Sequence, residues 1–150
     1  MEKRPQIIKR IKELFLSQNL AILATQNKGQ PYTSLVSFAS SDNLKQIFFV
    51  TPQYTRKYIN LSADSRVSML VDNRSNKASD IGKAIAVTAI GDAEEIKVDE
   101  KDEVLLVYLA KHPYMEDFAK SPTSALLRIK VRKYIMVSRF QKVLELEVSR

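Results

Sequence analysis

The stretch Thr51-Pro52-Gln53-Tyr54-Thr55-Arg56-Lys57 gathers the groups best suited to hold an anion. The run Gln46–Thr51, rich in aromatic and branched residues, reads as a strand that ends there. The chain then turns through Pro52, and Thr55 stands where it would cap a short helix, about Arg56–Ser62. A helix N-terminus presents unpaired N–H groups and a partial positive charge, and it ordinarily favours acids. Arg56 and Lys57 in that first turn oppose the dipole, so the arrangement costs stability unless an anion is bound. Backbone N–H groups, two cations and the Thr51 and Thr55 hydroxyls together suit a phosphate. The same spacing also describes two exposed cations at a frayed helix end, and spacing alone leaves both readings open.

Other reactive groups are scarce. With one histidine and no cysteine, the chain has no thiol chemistry, no disulfide, no Cys-ligated metal and no paired-histidine metal motif. No metal site is expected. His112, beside Pro113 at a helix end, reads as a surface residue. There is no Gly-x-Ser-x-Gly elbow, no P-loop and no Gly-x-Gly-x-x-Gly. Glu94-Glu95 and Asp99–Glu103 lie in an acidic run that reads as a solvated face. Catalysis by so plain a chain would have to be borrowed from a cofactor.

The elements around Thr51–Lys57 read mostly as strands. Residues 5–18 form an amphipathic helix, with Ile7, Ile8, Ile11, Leu14 and Phe15 on one face. Three strands follow: Leu20–Gln26, Tyr32–Ser40 and Gln46–Thr51. They are separated by the turns Asn27–Pro31, which carries Gly29, and Ser41–Asn43. Connections this short make an antiparallel meander. Along Tyr32–Ser40, Tyr32, Ser34, Val36 and Phe38 share one face of the pleat. Arg66–Val71 is a fourth strand, Asp72–Gly82 a loop and Lys83–Ile90 a fifth strand. Gly91 marks a bulge before pairing continues through Asp92–Ile96. A helix from about Asp99 to Lys111, a further turn at Tyr114–Lys120 and the strands Ala125–Val137 and Val143–Val148 complete the chain. The expectation is a mainly β fold: a six- to seven-stranded antiparallel barrel with peripheral helices, in a single domain spanning 1–150.

Composition agrees. The 150 residues are 45% hydrophobic and 27% charged, which is globular rather than disordered. No apolar run reaches the ~18–20 residues of a membrane span. The charged opening MEKRPQIIKRIKELF lacks a signal-peptide core, so a cytoplasmic location is expected. Twenty-four bases against 17 acids give +7, which favours an anionic partner or merely a basic surface. Acids concentrate in Asp92–Glu103, and bases in Arg128–Lys142. A nucleic-acid interface on Arg128–Tyr134 is not favoured, because that stretch interleaves only one aromatic with its bases.

Taken together, Leu20–Thr25, Gly29–Tyr32, Ile47–Thr51, Thr55–Lys57, Ser65–Leu70 and Ala89–Glu94 resemble, in order and at near-constant gaps, the pyridoxamine 5′-phosphate oxidase family of flavin-binding split barrels. The resemblance implies a homodimer with FMN at the subunit interface and an unknown small-molecule redox partner. It implies that Thr33, Ser34, Leu35 and Val36 run beside the flavin ring. The strand-end Thr51, next to Val50, would hold the phosphate together with Arg56 and Lys57. Arg74 would face the flavin, a second ligand or solvent. Some relatives use a deazaflavin or haem instead, and a non-catalytic flavin binder is a further alternative. The oxidase itself has Arg at Ser34, a substrate-binding Lys at Ala39 and a flavin-contacting Gln near Ala86. Its C-terminal vitamin-binding elements have no match in Ala125–Arg150. The resemblance therefore implies an FMN-binding oxidoreductase that does not oxidise the vitamin.

Overall fold

Alternating burial along the chain sets the strands, and a computed structural model describes residues 2–139 and 141–148. In β1 (Leu20–Asn27) Ala21, Leu23 and Thr25 are buried while their neighbours are not, the period-two signature of a strand with one face on a core. β1 turns into β2 (Gln30–Ser40) through Lys28 and Gly29, at φ 50° and 84°. A two-residue hairpin loop favours positive φ at both positions because that twist matches the strands, and Gly adopts it at no steric cost. β3 (Gln46–Pro52), β4 (Arg66–Asp72), β5 (Ala86–Glu95), β6 (Ser124–Ser138) and β7 (Lys142–Glu147) complete the set.

All the pairings are antiparallel. The order β3-β2-β1-β4-β5-β6 closes on itself because β6 also pairs with β3, giving a six-stranded barrel. Only a strand as long as β6, at 15 residues, can do this. Along one edge it takes β5. Along the other it takes β3 at Ser124–Lys130 and then β7 at Lys133–Ser138.

Two apolar clusters follow from closure. The barrel interior holds Leu23, Phe38, Phe49, Met69, Leu127 and Tyr134, among others. The helix α1 (Arg4–Ser17) packs into it through Ile7, Ile11, Leu14 and Phe15. Phe15 meets the rings of Phe38 and Tyr134 edge to face at 5.4 and 5.8 Å. The second cluster lies outside the barrel, where β3 and β6 turn Phe48, Val50 and Leu126 outward. The helix α4 covers that face with Val104, Leu105 and Tyr108. It runs from Lys101 to Lys111 after a 3₁₀ turn at Val98–Glu100.

The helices α2 (Arg56–Ala63) and α5 (Glu116–Lys120) fall where the sequence predicts. Two departures have local causes. The expected strand Lys83–Ile90 begins only at Ala86, because Asp80–Lys83 form a single helical turn, α3. The Asp80 carboxylate accepts the N–H groups of Ser75, Asn76 and Lys77, and this folds the loop back on itself. The helix expected from about Asp99 begins as the 3₁₀ turn Val98–Glu100 and becomes α4 only at Lys101, with Glu100 paired to Arg128.

The expected bulge is present. Ile90 pairs with Lys133 but Gly91 pairs with Val131, which leaves Arg132 as the extra residue on β6. A Cβ on Gly91 would stand 2.1 Å from the Lys130 carbonyl oxygen, an approach no real side chain tolerates. Gly91→Ala should therefore cost about 1–3 kcal/mol of stability, the range for overpacking a tight site. Urea unfolding checks this, with a lowered midpoint at unchanged slope as the expected result.

Candidate functional site

Helix α2 is fixed at both faces before it offers anything to a ligand. Asn60, buried, donates from Nδ2 to Thr25 Oγ1 on β1 at 3.1 Å. Tyr58 donates its hydroxyl to Glu95 on β5 at 2.6 Å. Thr55 is the N-cap, as predicted. Its Oγ1 accepts from the Tyr58 N–H at 3.4 Å, donates to the Pro52 carbonyl at 2.9 Å and lies 2.7 Å from Thr51 Oγ1. Thr51 itself is fully buried on the inward face of β3. Both hydroxyls are thus engaged in shaping the turn. What the turn offers an anion is the N–H groups of Arg56 and Lys57, which have no partner among the described residues, and their two side chains.

Lys57 is half-buried, and burial lowers its pKa, because an ammonium group loses hydration there. Among the described residues it makes no ion pair. An anion beside it would offset that cost. Arg56 is exposed and lies over the Tyr32 ring at 5.7 Å.

Lys57 lines a cavity of about 210 Å³ on the outside of the barrel. Leu35, Val36 and Ser37 of β2 form one wall and Val50 and Pro52 of β3 another, with Tyr108, Met115 and Phe118 opposite. The Tyr108 side chain is fully buried, yet its hydroxyl has no hydrogen-bond partner; Ser37 lies close without the required geometry. Burial pushes this phenol up to about 12, so it stays a donor at physiological pH. A buried donor without a partner thus lines the same groove as a half-buried cation.

Of the residues singled out from sequence, Leu35, Val36, Val50 and Lys57 meet at this groove. Thr33 is exposed on β2 outside it. Ser34 falls on the inward side of β2 with Val36 and Phe38, and its Oγ is buried without a partner. Arg74 lines a separate cavity of about 170 Å³ with Leu20, Ile22, Leu35 and Leu70, and pairs with Asp72 at 3.1 Å. Leu35 borders both spaces. Tyr108, Met115 and Phe118 were not foreseen. They lie more than 50 residues beyond Lys57 and look like ordinary core positions of a helical segment.

His112 corrects the expectation of a surface position: it is fully buried. Its Nε2 donates to the Phe38 carbonyl at 2.7 Å, so Nδ1 is the acceptor and takes the Tyr114 hydroxyl at 3.1 Å. Next to it, Lys111 donates to the Phe15 carbonyl at 2.8 Å and stands 3.8 Å over the Phe38 ring, with burial lowering its pKa to about 8. The pair locks the end of α4 to β2 and α1. The basic row of β6 is also less free than its sequence suggests. Arg128 reaches Glu94 and Glu100 at 2.9 and 2.7 Å, Lys130 reaches Glu94 at 3.2 Å, and Arg132 pairs with Asp92.

A six-stranded barrel with a free helix start over an external groove defines a split-barrel protein. The pyridoxamine 5′-phosphate oxidase family model matches residues 7–138, and the chain belongs to that family. No curated protein matches it. Among solved structures, it is similar to a haem-binding protein from Mycobacterium smegmatis, with TM-score 0.84 at 18% identity over 97% of this chain and 60% of that one. It thus spans less than two thirds of that protein's length. A FAD-binding protein from Mesorhizobium loti superposes with TM-score 0.68 at 18% identity, covering 85% of this chain and 90% of the other. A Clostridium acetobutylicum protein related to general stress protein 26, of the pyridoxinephosphate oxidase family, gives TM-score 0.73 at 16% identity, over 97% of each chain. At these identities the likeness establishes the fold. Among the described residues, no helix is long and apolar enough to cross a membrane.

The buried imidazole yields a pH test. Burial, helped by the Lys111 charge, lowers the His112 pKa below 6.5, against a weaker opposing effect from the Phe38 carbonyl. As pH falls through 6.5, the unfolded chain takes up a proton that the native one refuses, so stability should drop below that pH. The slope can reach at most about 1.4 kcal/mol per pH unit for one proton. Urea midpoints at pH 7.5 and 5.5 should separate for the native chain and converge for His112→Gln.

Proposed function

We propose that the groove holds part of FMN, with the phosphate at Arg56 and Lys57 and the ring along β2, and that the protein is a flavin-dependent oxidoreductase. The observation that carries this reading is the half-buried Lys57, without an ion pair among the described residues, at a free helix N-terminus in one apolar groove with Tyr108, whose hydroxyl has no partner there. In it, the N–H groups and side chains of Arg56 and Lys57 take the phosphate. The backbone of Leu35–Ser37 and the Val50 side chain flank the ring, with Met115 and Phe118 excluding water. The Tyr108 hydroxyl donates to a polar edge of the ligand. Bound flavin supplies the electron transfer, and this chain binds, orients and desolvates it.

Haem, the second reading, finds less support in the side chains. The sole histidine has both ring nitrogens committed, and there is no cysteine. A deazaflavin would use the same phosphate contacts, and the absorption spectrum of the purified protein separates the three. The vitamin oxidase's own activity is not proposed, because Ala39 stands where that enzyme has a substrate-binding lysine.

A cavity of about 210 Å³ is smaller than the ~300–1,000 Å³ usual for ligands of this size, so one chain encloses only part of a flavin. We further propose that a second copy completes it. Leu20 and Leu35, 49% and 63% exposed, stand on neighbouring strands beside the groove and Arg74. A second copy covering that face would bury them and bring Arg74 close to the bound cofactor.

Two measurements test this. The Arg56→Ala/Lys57→Ala variant should weaken FMN binding roughly ten- to hundredfold for each charge-assisted hydrogen bond removed, at ~1.5–3 kcal/mol apiece. Riboflavin, which lacks the phosphate, should bind the native chain weakly and lose little in the variant. Quenching of flavin fluorescence reads both, and equal affinities for FMN throughout would rule the assignment out. Sedimentation should give about twice 17.1 kDa, and a monomer that binds FMN tightly would remove the shared site.

A further inference from the structure

At the other end of β3 the barrel wall opens. On one edge of β6, β3 stops at the pair Gln46 with Lys130, and β7 takes over only at the pair Glu147 with Lys133. Between them the edge is held by two single bonds, Val131 N–H to the Lys45 carbonyl at 3.0 Å and Val148 N–H to the Arg132 carbonyl at 2.9 Å. On the opposite edge the bulge at Gly91 inserts Arg132. The result is a cavity of about 490 Å³, inside the size range of small-molecule sites and more than twice the volume of the groove at Lys57. A neighbouring space of about 420 Å³ shares Arg132 and Val148 with it and continues past Ile90.

The walls have a definite chemistry. Four cations, Lys45, Arg128, Lys130 and Arg132, and one carboxylate, Asp92, line the cavity together with Val131 and Val148, which pack against the barrel interior. Glu94 and Glu100 are not in the wall; they brace Arg128 from outside it. Arg128 is 7% exposed and held by those two acids and by Gln46 Oε1 at 3.0 Å. A guanidinium carries five donors. Among the described residues there is no partner for Nη2 of Arg128, for Nε or Nη2 of Arg132, or for the Lys45 ammonium. The ion pairs thus hold Arg128, Lys130 and Arg132 in place while leaving guanidinium donors unused, which lowers the ordering cost of binding a ligand.

We propose that this cavity is a second ligand site, for a small organic anion whose phosphate or carboxylate meets the cations and whose apolar body lies on Val131 and Val148. It is independent of the flavin reading. Along β3, Gln46 at this cavity and Pro52 at the Lys57 groove are six residue steps apart, about 20 Å at ~3.3 Å each. Neither a bare anion nor a neutral ring satisfies both halves of the wall.

The probe is 1-naphthyl phosphate, titrated into the full chain while backbone amide resonances are followed, with inorganic phosphate and 1-naphthol as partial probes. Saturable shifts are expected at Lys45, Gln46, Val131 and Val148, with both partial probes weaker by about tenfold or more. Lys45→Ala/Lys130→Ala removes two exposed cations and should weaken the probe by a similar factor, while its spectrum reports that the fold is kept. Arg128 is left intact, because deleting it would strand Glu94 and Glu100. Arg56→Ala/Lys57→Ala should leave these shifts unchanged. The proposal fails if those four amides do not respond, if the Lys45/Lys130 variant binds as tightly as the native chain, or if 1-naphthol binds as well as its phosphate. Substituting Lys45→Ala/Lys130→Glu should abolish the shifts, and their survival would equally overturn it.

Discussion

The structure depends on one strand having two edges to satisfy. β6 must give its backbone donors and acceptors to β5 on one side and to β3 and β7 in succession on the other, since an unpaired backbone group in a buried strand costs as much as a lost hydrogen bond. That requirement closes the barrel by pairing the whole of β3 with β6, while β2 pairs with only Ile47, Phe48 and Phe49 on its other edge. It also sorts side chains between an interior cluster and an outer one. Phe49 and Leu127 face inward while Phe48 and Leu126, their immediate neighbours, face outward and need the cover of α4. The groove at Lys57 is the margin of that cover, where helix packing against the barrel stops.

Closure also accounts for the charges. Pairing β5 with β6 sets the acidic residues Asp92 and Glu94 against Lys130 and Arg128. What reads in sequence as an acidic run and a distant basic run becomes a ladder of ion pairs on one sheet face. Exposed pairs of this kind contribute little stability, but a buried cation such as Arg128 needs its partners in place to be tolerated at all. Lys57 and Lys45 are among the bases that lie outside this ladder.

Two polar features of the interior serve position rather than chemistry. His112 and Lys111 each give a hydrogen bond to a backbone carbonyl, of Phe38 and Phe15 respectively. They tie the last turn of α4 to β2 and to the last turn of α1. Tyr108, one turn earlier on the same helix, is thereby held at the groove with its hydroxyl free. The rigidity of that wall comes from the pairing of the two neighbours.

Much of the architecture was legible in the residues themselves. Period-two alternation marked the strands, Gly29 and Gly91 marked a hairpin and a bulge, and Thr55 marked the start of α2, because each of these is a local demand of backbone geometry. The anion-ready turn at Thr51–Lys57 was visible for the same reason: a cap and two cations are neighbours in sequence. The other half of the groove was not. Tyr108, Met115 and Phe118 become its wall only because β6 returns to β3 and carries the covering helices with it, and nothing in their own spacing distinguishes a wall from a core. His112 was misplaced likewise. A histidine beside a proline looks exposed until a carbonyl on β2, 74 residues earlier, arrives to accept its proton. Local conformation is encoded by neighbours, whereas burial and partnership between distant residues are settled only when the barrel closes.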